Sequence, residues 1–182
     1  PLMQNTLTTD NGESISYDYL MIATGPKLAF ANIEGAGPEH HTQSVCTLDH
    51  AQQCYTDFQA LVQHPGPVVV GAFQGASCFG PAYEYAFILY KTLRDANNRD
   101  QVPIQFVTSE PYIGHLGLGG VGDSKSLLES ELRMRGITWI CNAMVDKVEA
   151  GMMHISELNR KAQVEFTHDL PFKHAMLIPP FV

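Results

Sequence analysis

The chain has 182 residues, 45% of them hydrophobic and 16% charged, and carries a formal net charge of −8. That composition can build a folded core and excludes disorder. The acidic balance argues against a nucleic-acid partner, which needs a basic face, and no run approaches the roughly 20 apolar residues that cross a bilayer.

The chain starts on Pro1-Leu2-Met3 and stops on Pro179-Pro180-Phe181-Val182, directly after an apolar run. Both ends look cut, and the expectation is an internal fragment of a longer protein. There are four cysteines, Cys46, Cys54, Cys78 and Cys141. None forms a CxxC pair, so neither a zinc site nor a thioredoxin-type site is expected. They are too sparse for a disulfide-built scaffold. Taken blind, each reads as a small buried hydrophobe.

Residues 4–9 and 13–17 flank Asp10-Asn11-Gly12, and Asn-Gly supplies the positive φ angles of a tight hairpin. The stretch 17–26 is expected as a buried strand ending in Ala23-Thr24-Gly25-Pro26, where small residues let backbone approach a ligand. Residues 26–45 read as a connecting loop. A helix is expected over 47–64, with Thr47 as cap, Asp49 in the first turn, and Ala51, Cys54, Tyr55, Phe58, Leu61 and Val62 at helical spacing. Pro65-Gly66-Pro67 ends it.

Next comes a β-branched run, Val68-Val69-Val70, then a glycine-bearing turn, then an apolar helix from Pro81 to about Leu93. Strand, glycine turn and helix form the layout of a dinucleotide-binding unit. Its pattern wants glycine at the first and third positions and glycine or alanine at the sixth. Here those positions hold Gly71, Phe73 and Ala76. A phenylalanine ring would fill the space meant for a pyrophosphate, so the expectation is a dinucleotide-type fold without NAD(P)H binding. Cys78 falls near the start of the helix. The dipole and free N–H groups there favour an anion, which selects a reactive over a merely packed thiol. Glu84, six residues on, either faces the same site or is solvated.

A polar loop over 95–100 leads to a strand at 104–108. A long loop with five glycines follows over 109–123, then a helix over 124–135 capped by Gly136, and a strand over 137–140. Loops of that length inside a compact domain are often functional. From residue 143 the pattern becomes short alternating strands, which predict a three-stranded antiparallel meander. A last strand spans 173–180. The fold class is therefore α/β: a Rossmann-like nucleotide-binding domain with a parallel sheet plus a three-stranded antiparallel meander. This is the half-unit seen in flavoproteins with two dinucleotide domains. The expected division is a piece of an FAD-binding domain with linker over 1–43, a second Rossmann-like domain over 44–174, and a return strand toward the FAD domain over 175–182.

Several segments resemble sulfide:quinone oxidoreductase. They are Ser44-Val45-Cys46-Thr47-Leu48-Asp49-His50-Ala51, Gly75-Ala76-Ser77-Cys78-Phe79-Gly80-Pro81-Ala82-Tyr83-Glu84-Tyr85, Thr108-Ser109-Glu110-Pro111-Tyr112-Ile113-Gly114-His115-Leu116-Gly117, and Gly120-Val121-Gly122-Asp123-Ser124-Lys125. The resemblance runs in order through nearly the whole chain. It implies an FAD enzyme, attached peripherally to a membrane, that oxidises sulfide and passes electrons to quinone. Oligomers are allowed, and no nucleic acid is implied. In the family three cysteines serve the sulfur chemistry. Two match Cys46 and Cys78, and the third matches nothing in this chain. The resemblance makes Cys78 one half of a disulfide or polysulfide bridge with that third cysteine, and places Cys46 nearest the flavin. The family's first FAD fingerprint, its later FAD contacts, its quinone pocket and its membrane anchor have no counterpart in these residues. Ala23, Thr24, Gly25 and Pro26 match FAD contacts.

His50 and His115 match histidines tied to activity in the family. His50 follows Cys46 by one helical turn, which can place both on one face, and a histidine can hold a proton for HS⁻ or for the quinone. Against that stands an ordinary surface or capping histidine. His40, His41, His64, His154, His168 and His174 show no site pattern, and Cys54 and Cys141 read as packing. Two rivals stand beside this reading. One is a related flavoprotein: the flavoprotein subunit of a sulfide dehydrogenase, an NADH:quinone reductase or a disulfide reductase. The other is a catalytically silent binding module.

Overall fold

The structure, a computed structural model, describes residues 5–182. Its centre is a four-stranded parallel sheet. The all-buried strand β3 (Val68–Ala72) lies between β4 (Ile104–Thr108) and β9 (His174–Ile178), and β5 (Ile137–Ile140) lies beyond β4, giving the order β5-β4-β3-β9. All three pairings are parallel, with Val70 opposite both Phe106 and Met176. A parallel sheet covered on both faces reads as continuous apolar runs rather than alternation, which is why Val68-Val69-Val70 was legible as a strand.

The period of two decides what each face packs against. Val68, Val70 and Ala72 join Met176 and Ile178 in a core under three helices, α1 (Leu48–Gln63), α2 (Gly80–Asp95) and α3 (Ser124–Met134). Val69, Phe73, Ala175 and Leu177 join Val145, Met153 and Ile155 in a second core. That core lies under a three-stranded meander of β6 (Ala143–Glu149), β7 (Met152–Leu158) and β8 (Val164–Pro171), antiparallel in the order β6-β7-β8. The result is three layers: helices, parallel sheet, meander. The fold class expected from the sequence holds.

Thr47 caps α1 as expected. Its hydroxyl accepts from the His50 N–H at 3.2 Å, an interaction of about 1 kcal/mol. The hairpin also forms, from β1 (Thr6–Thr8) and β2 (Ser14–Ser16), with Leu7 opposite Ile15 and Gly12 at φ 85°. Gln4, the first residue expected in that hairpin, lies outside the described residues.

Two expectations are corrected. Residues 17–25 form no strand and are not buried: Tyr19 is 96% and Met21 88% exposed. A strand is held by a neighbour's backbone, and no described strand pairs with this stretch. The second correction concerns Phe73. Its ring is fully buried in the core under the meander and does not occupy the turn. Gly71 is likewise explained by the sheet, because a Cβ there would come 1.7 Å from the Val107 carbonyl oxygen. Two of the three pattern positions, Gly71 and Phe73, are thus set by packing.

The loop at 26–45 is more tightly attached than a plain connection. Lys27 and Val182 exchange backbone hydrogen bonds at 2.8 and 3.0 Å, and the Gln43 N–H donates to the Ala175 carbonyl at 2.6 Å. The segment expected as a return strand contributes β9 to the parallel sheet itself, and residues 180–182 run beside 27–29.

Candidate functional site

Open α/β sheets bind ligands beyond the carboxyl ends of their strands. At that edge lies a cavity of about 340 Å³ lined by Pro26, Leu28, Val45, Cys46, Thr47, Cys78, Pro81, Ile178 and Phe181. Ile178 is the last residue of β9 and Cys78 sits in the turn between β3 and α2. Cys46 comes from a separate segment, one residue ahead of the Thr47 cap, and its N–H donates to Ser44 Oγ at 3.2 Å. Two thiols from separate segments of the chain therefore line one cavity. Cys78 is exposed, Cys46 half-buried, and both are free. Cys78 lies one residue outside the helix cap Phe79, and Pro81 occupies the first turn of α2, the position proline favours.

The other candidates named from the sequence divide around this cavity in different ways. Pro26 lines it. Ala23, Thr24 and Gly25 precede it in the exposed stretch, and Gly25, at φ 78°, has open space where a Cβ would stand. His50 does not line it. Its ring faces a neighbouring cavity of about 620 Å³ shared with Phe30, Glu34 and His40, and Leu28 is the common wall. The ring meets Phe30 edge-on at 5.9 Å, and its Nδ1 is buried without a hydrogen-bond partner among the described residues. Glu84 is exposed on α2, outside the cavity lining. His115 is also outside it. Its carbonyl accepts from the Leu118 and Gly120 N–H groups, and its ring packs edge-on against Tyr112 at 5.2 Å. The loop that carries it rests on the Cys78 turn, however. A Cβ on Gly117 would come 3.3 Å from the Phe79 ring and 3.9 Å from the Ser77 carbonyl oxygen.

Two buried polar groups were missed by sequence reasoning. Glu110 is 2% exposed, and its carboxylate accepts from Tyr83 Oη and Thr108 Oγ1 at 2.8 Å each and from the Leu116 N–H at 2.6 Å. Tyr83 Oη accepts in turn from the Gly114 N–H at 3.0 Å. A buried carboxylate needs several donors to be tolerated, and here those donors pin the 109–123 loop. Burial, then the Glu110 charge, holds the Tyr83 hydroxyl far above its ordinary range. The same two causes push the Cys141 thiol up to about 12. The second missed group is His174, 1% exposed at the start of β9. The available signal was its phase: it stands two and four residues before Met176 and Ile178, on the face under the helices.

No family model matches the chain. It is 46% identical, over 177 residues, to the sulfide-quinone reductase of Aquifex aeolicus (strain VF5), a match covering 97% of this chain and 39% of that protein. The crystallographic sulfide:quinone oxidoreductase of the same bacterium superposes with a TM-score of 0.84 at 45% identity, covering 98% of this chain and 40% of that one. NDH2 from Plasmodium falciparum in complex with NADH superposes at 0.65 with 16% identity, covering 97% of this chain and 38% of that one. At that identity the likeness concerns the fold alone. The chain spans about two fifths of the length of the Aquifex relative it matches. In both sequence and fold, over nearly its whole length, this chain is similar to one stretch of a sulfide-quinone reductase, as the cysteine segments led us to expect.

Proposed function

We propose that this chain is the thiol-bearing part of a flavoprotein oxidoreductase that oxidises sulfide and reduces a quinone. The observation that carries the reading is the meeting of Cys46 and Cys78 at one cavity on the carboxyl edge of the sheet. Sulfide is a nucleophile and needs an electrophilic sulfur to receive it. In the proposed cycle Cys78 is held in a disulfide with a cysteine elsewhere in the longer protein. HS⁻ attacks the Cys78 sulfur, a new S–S bond forms, and the old one breaks. Cys78 then carries a persulfide and its former partner leaves as a thiolate. The two electrons taken from sulfide reside on that thiolate, and remaking the oxidised state needs a two-electron acceptor.

FAD is the group we propose for that task, and the residues fit it. Ala23, Thr24 and Gly25 are small and exposed, Gly25 leaves open space where a side chain would stand, and Pro26 forms the mouth of the cavity. FAD held there would supply a two-electron acceptor able to hand the electrons on to quinone. Cys46, half-buried in the lining of the same cavity, is the second thiol at this site. His50 and His115 are proposed to hold protons at the margins, His50 from the adjoining cavity and His115 from the loop over the Cys78 turn. Glu84, exposed on the same helix, is proposed as a solvent-side proton acceptor. Attachment to a membrane is part of the proposal. The attachment we propose is peripheral; among the described residues no helix is long and apolar enough to cross a membrane.

The test is sulfide-dependent reduction of a soluble quinone analogue by the full-length protein. We expect turnover in the unaltered enzyme and none above background in Cys78→Ser, because a serine cannot form the disulfide that HS⁻ attacks. Normal turnover in Cys78→Ser would sink the assignment.

A further inference from the structure

Between α1 and α2 lies a second, smaller crevice of about 210 Å³, lined by Val45, Ala51, Phe58, Leu89, Cys54 and Tyr85 among others. Tyr55 and Ile88 stand 60% and 61% exposed along it. It shares only the Val45 wall with the Cys46–Cys78 cavity. Two of its lining groups, Cys54 and Tyr85, belong to a hydrogen-bonded chain that runs on to His174 and Asp57. Asp57 Oδ2 lies 2.6 Å from His174 Nδ1, His174 Nε2 lies 2.7 Å from Tyr85 Oη, and Cys54 Sγ donates to Tyr85 Oη at 3.3 Å.

The direction of that chain follows from its ends. A carboxylate only accepts, so Nδ1 carries the hydrogen and Nε2 is left as an acceptor. Tyr85 then gives its hydrogen to Nε2 and receives the Cys54 S–H. An aspartate that fixes the imidazole tautomer, an imidazole that serves as base and a nucleophile within its reach is the logic of a catalytic triad. Here a tyrosine hydroxyl stands between the base and the thiol. Among the described residues, the titratable groups facing His174 come from α1, with Cys54 and Asp57, and from α2, with Tyr85 stacked on the imidazole at 5.9 Å.

We propose that Cys54 is a second reactive thiol, a modification site for small neutral sulfur electrophiles such as disulfides and thiosulfonates, deprotonated through Tyr85 by the His174–Asp57 pair. As Sγ attacks, its proton passes to Tyr85 while the Tyr85 proton passes to Nε2. A Cys54–sulfur bond forms, the sulfur–sulfur bond of the reagent breaks, and the leaving group departs as an anion. The imidazolium that remains is paired with the Asp57 carboxylate and later gives up its proton to the leaving group or to water. The apolar walls select against charged reagents, because a charge cannot enter without losing its hydration. At rest the thiol stays protonated, since burial pushes it up to about 11. Reaction therefore depends on the base and not on a standing thiolate. Asp57 and His174 are positioning residues in this scheme. The Cys54 chemistry does not depend on sulfide oxidation.

The experiment labels the unaltered full-length protein with methyl methanethiosulfonate, which is neutral, and with its sulfonatoethyl analogue, which is charged. Peptide mapping by mass spectrometry then follows the Cys54 peptide. We expect the neutral reagent to label Cys54 about tenfold faster or more than the charged one. The rate should not simply follow ionisation of the thiol itself, whose own value lies near 11. Asp57→Asn and Tyr85→Phe should each slow the neutral reagent about tenfold or more, with the fold checked by thermal melting. Equal labelling by both reagents would mean access by unfolding and would overturn the proposal. So would an unchanged rate in a folded Tyr85→Phe variant. If neither variant folds, the comparison of neutral with charged reagent on the unaltered protein decides the question alone.

Discussion

Cys78 and Cys54 are the same residue type, one in the turn ahead of α2 and the other within α1, and the fold treats them oppositely. Cys78 stands exposed in a turn at the open carboxyl edge, where no core packing constrains it. Cys54 is 1% exposed within the helix–sheet core and hydrogen-bonded to Tyr85. The difference lies in the elements. A residue just ahead of a helix cap is left out of the helix ladder and out of the core, whereas a mid-helix residue at apolar spacing is carried inward. The thiol at the edge meets solvent directly, whereas the thiol in the body is met only from the apolar crevice between α1 and α2.

That contrast can be broken most forcefully at Cys78. Cys78→Ser should abolish sulfide-dependent quinone reduction, because a serine cannot form the disulfide that is attacked, yet under reducing conditions it should leave the melting temperature nearly unchanged, because exposed substitutions usually stay within about 0.5 kcal/mol. Phe73→Ala should do the reverse. It empties the core between sheet and meander and should lower stability by about 3–5 kcal/mol, read by urea unfolding. Glu110→Gln lies between the two. It replaces a carboxylate with three donors by an amide that cannot accept from all of them equally, a cost of about 1–3 kcal/mol. It should also raise hydrogen exchange in the 109–123 loop beside the Cys78 turn. Thr47→Ala removes the α1 cap next to Cys46 and should cost about 1 kcal/mol in the same unfolding assay.

The smallest effect belongs to the meander. His154 Nδ1 lies 2.7 Å from Asp169 Oδ1 and its Nε2 lies 3.1 Å from Glu149 Oε2. Hydrogen bonds to Glu149 and then Asp169 raise its pKa above the ordinary imidazole value. A raised folded pKa means that the stabilisation is fully present below the unfolded value and is lost as pH rises through the folded one. The site is open to solvent, so the effect should be slight. An imidazole titration by NMR should place the His154 midpoint above that of the unfolded chain, and Asp169→Asn should lower it.

Much of the architecture was readable because period and punctuation agree with it. Thr47, Pro65-Gly66-Pro67, Gly136 and the alternating run after residue 143 mark real boundaries. The stretch 17–25 misled because Tyr19, Leu20, Met21 and Ile22 have strand-like composition, and composition does not say whether a neighbouring strand is present to pair with. Phe73 misled in another way. The sequence placed it in a glycine pattern, but a period of two places it in the core on the meander side, as Val69 should have suggested. Cys46 and Cys78 could be named from the sequence, yet their convergence on one cavity depends on β9, Leu28 and Phe181, none of which adjoins them in the chain. Glu110 left no signal and His174 only its phase on β9, because burial of a polar group is settled by partners that are 2 to 117 positions away.

The most direct test follows the sulfur itself. Full-length protein is mixed with sulfide and a quinone analogue, quenched in acid during turnover, and mapped by mass spectrometry. The expected result is an added sulfur atom on the Cys78 peptide, absent when sulfide is omitted. Consumption of sulfide with Cys78 unmodified throughout would contradict its role as the sulfur-accepting residue.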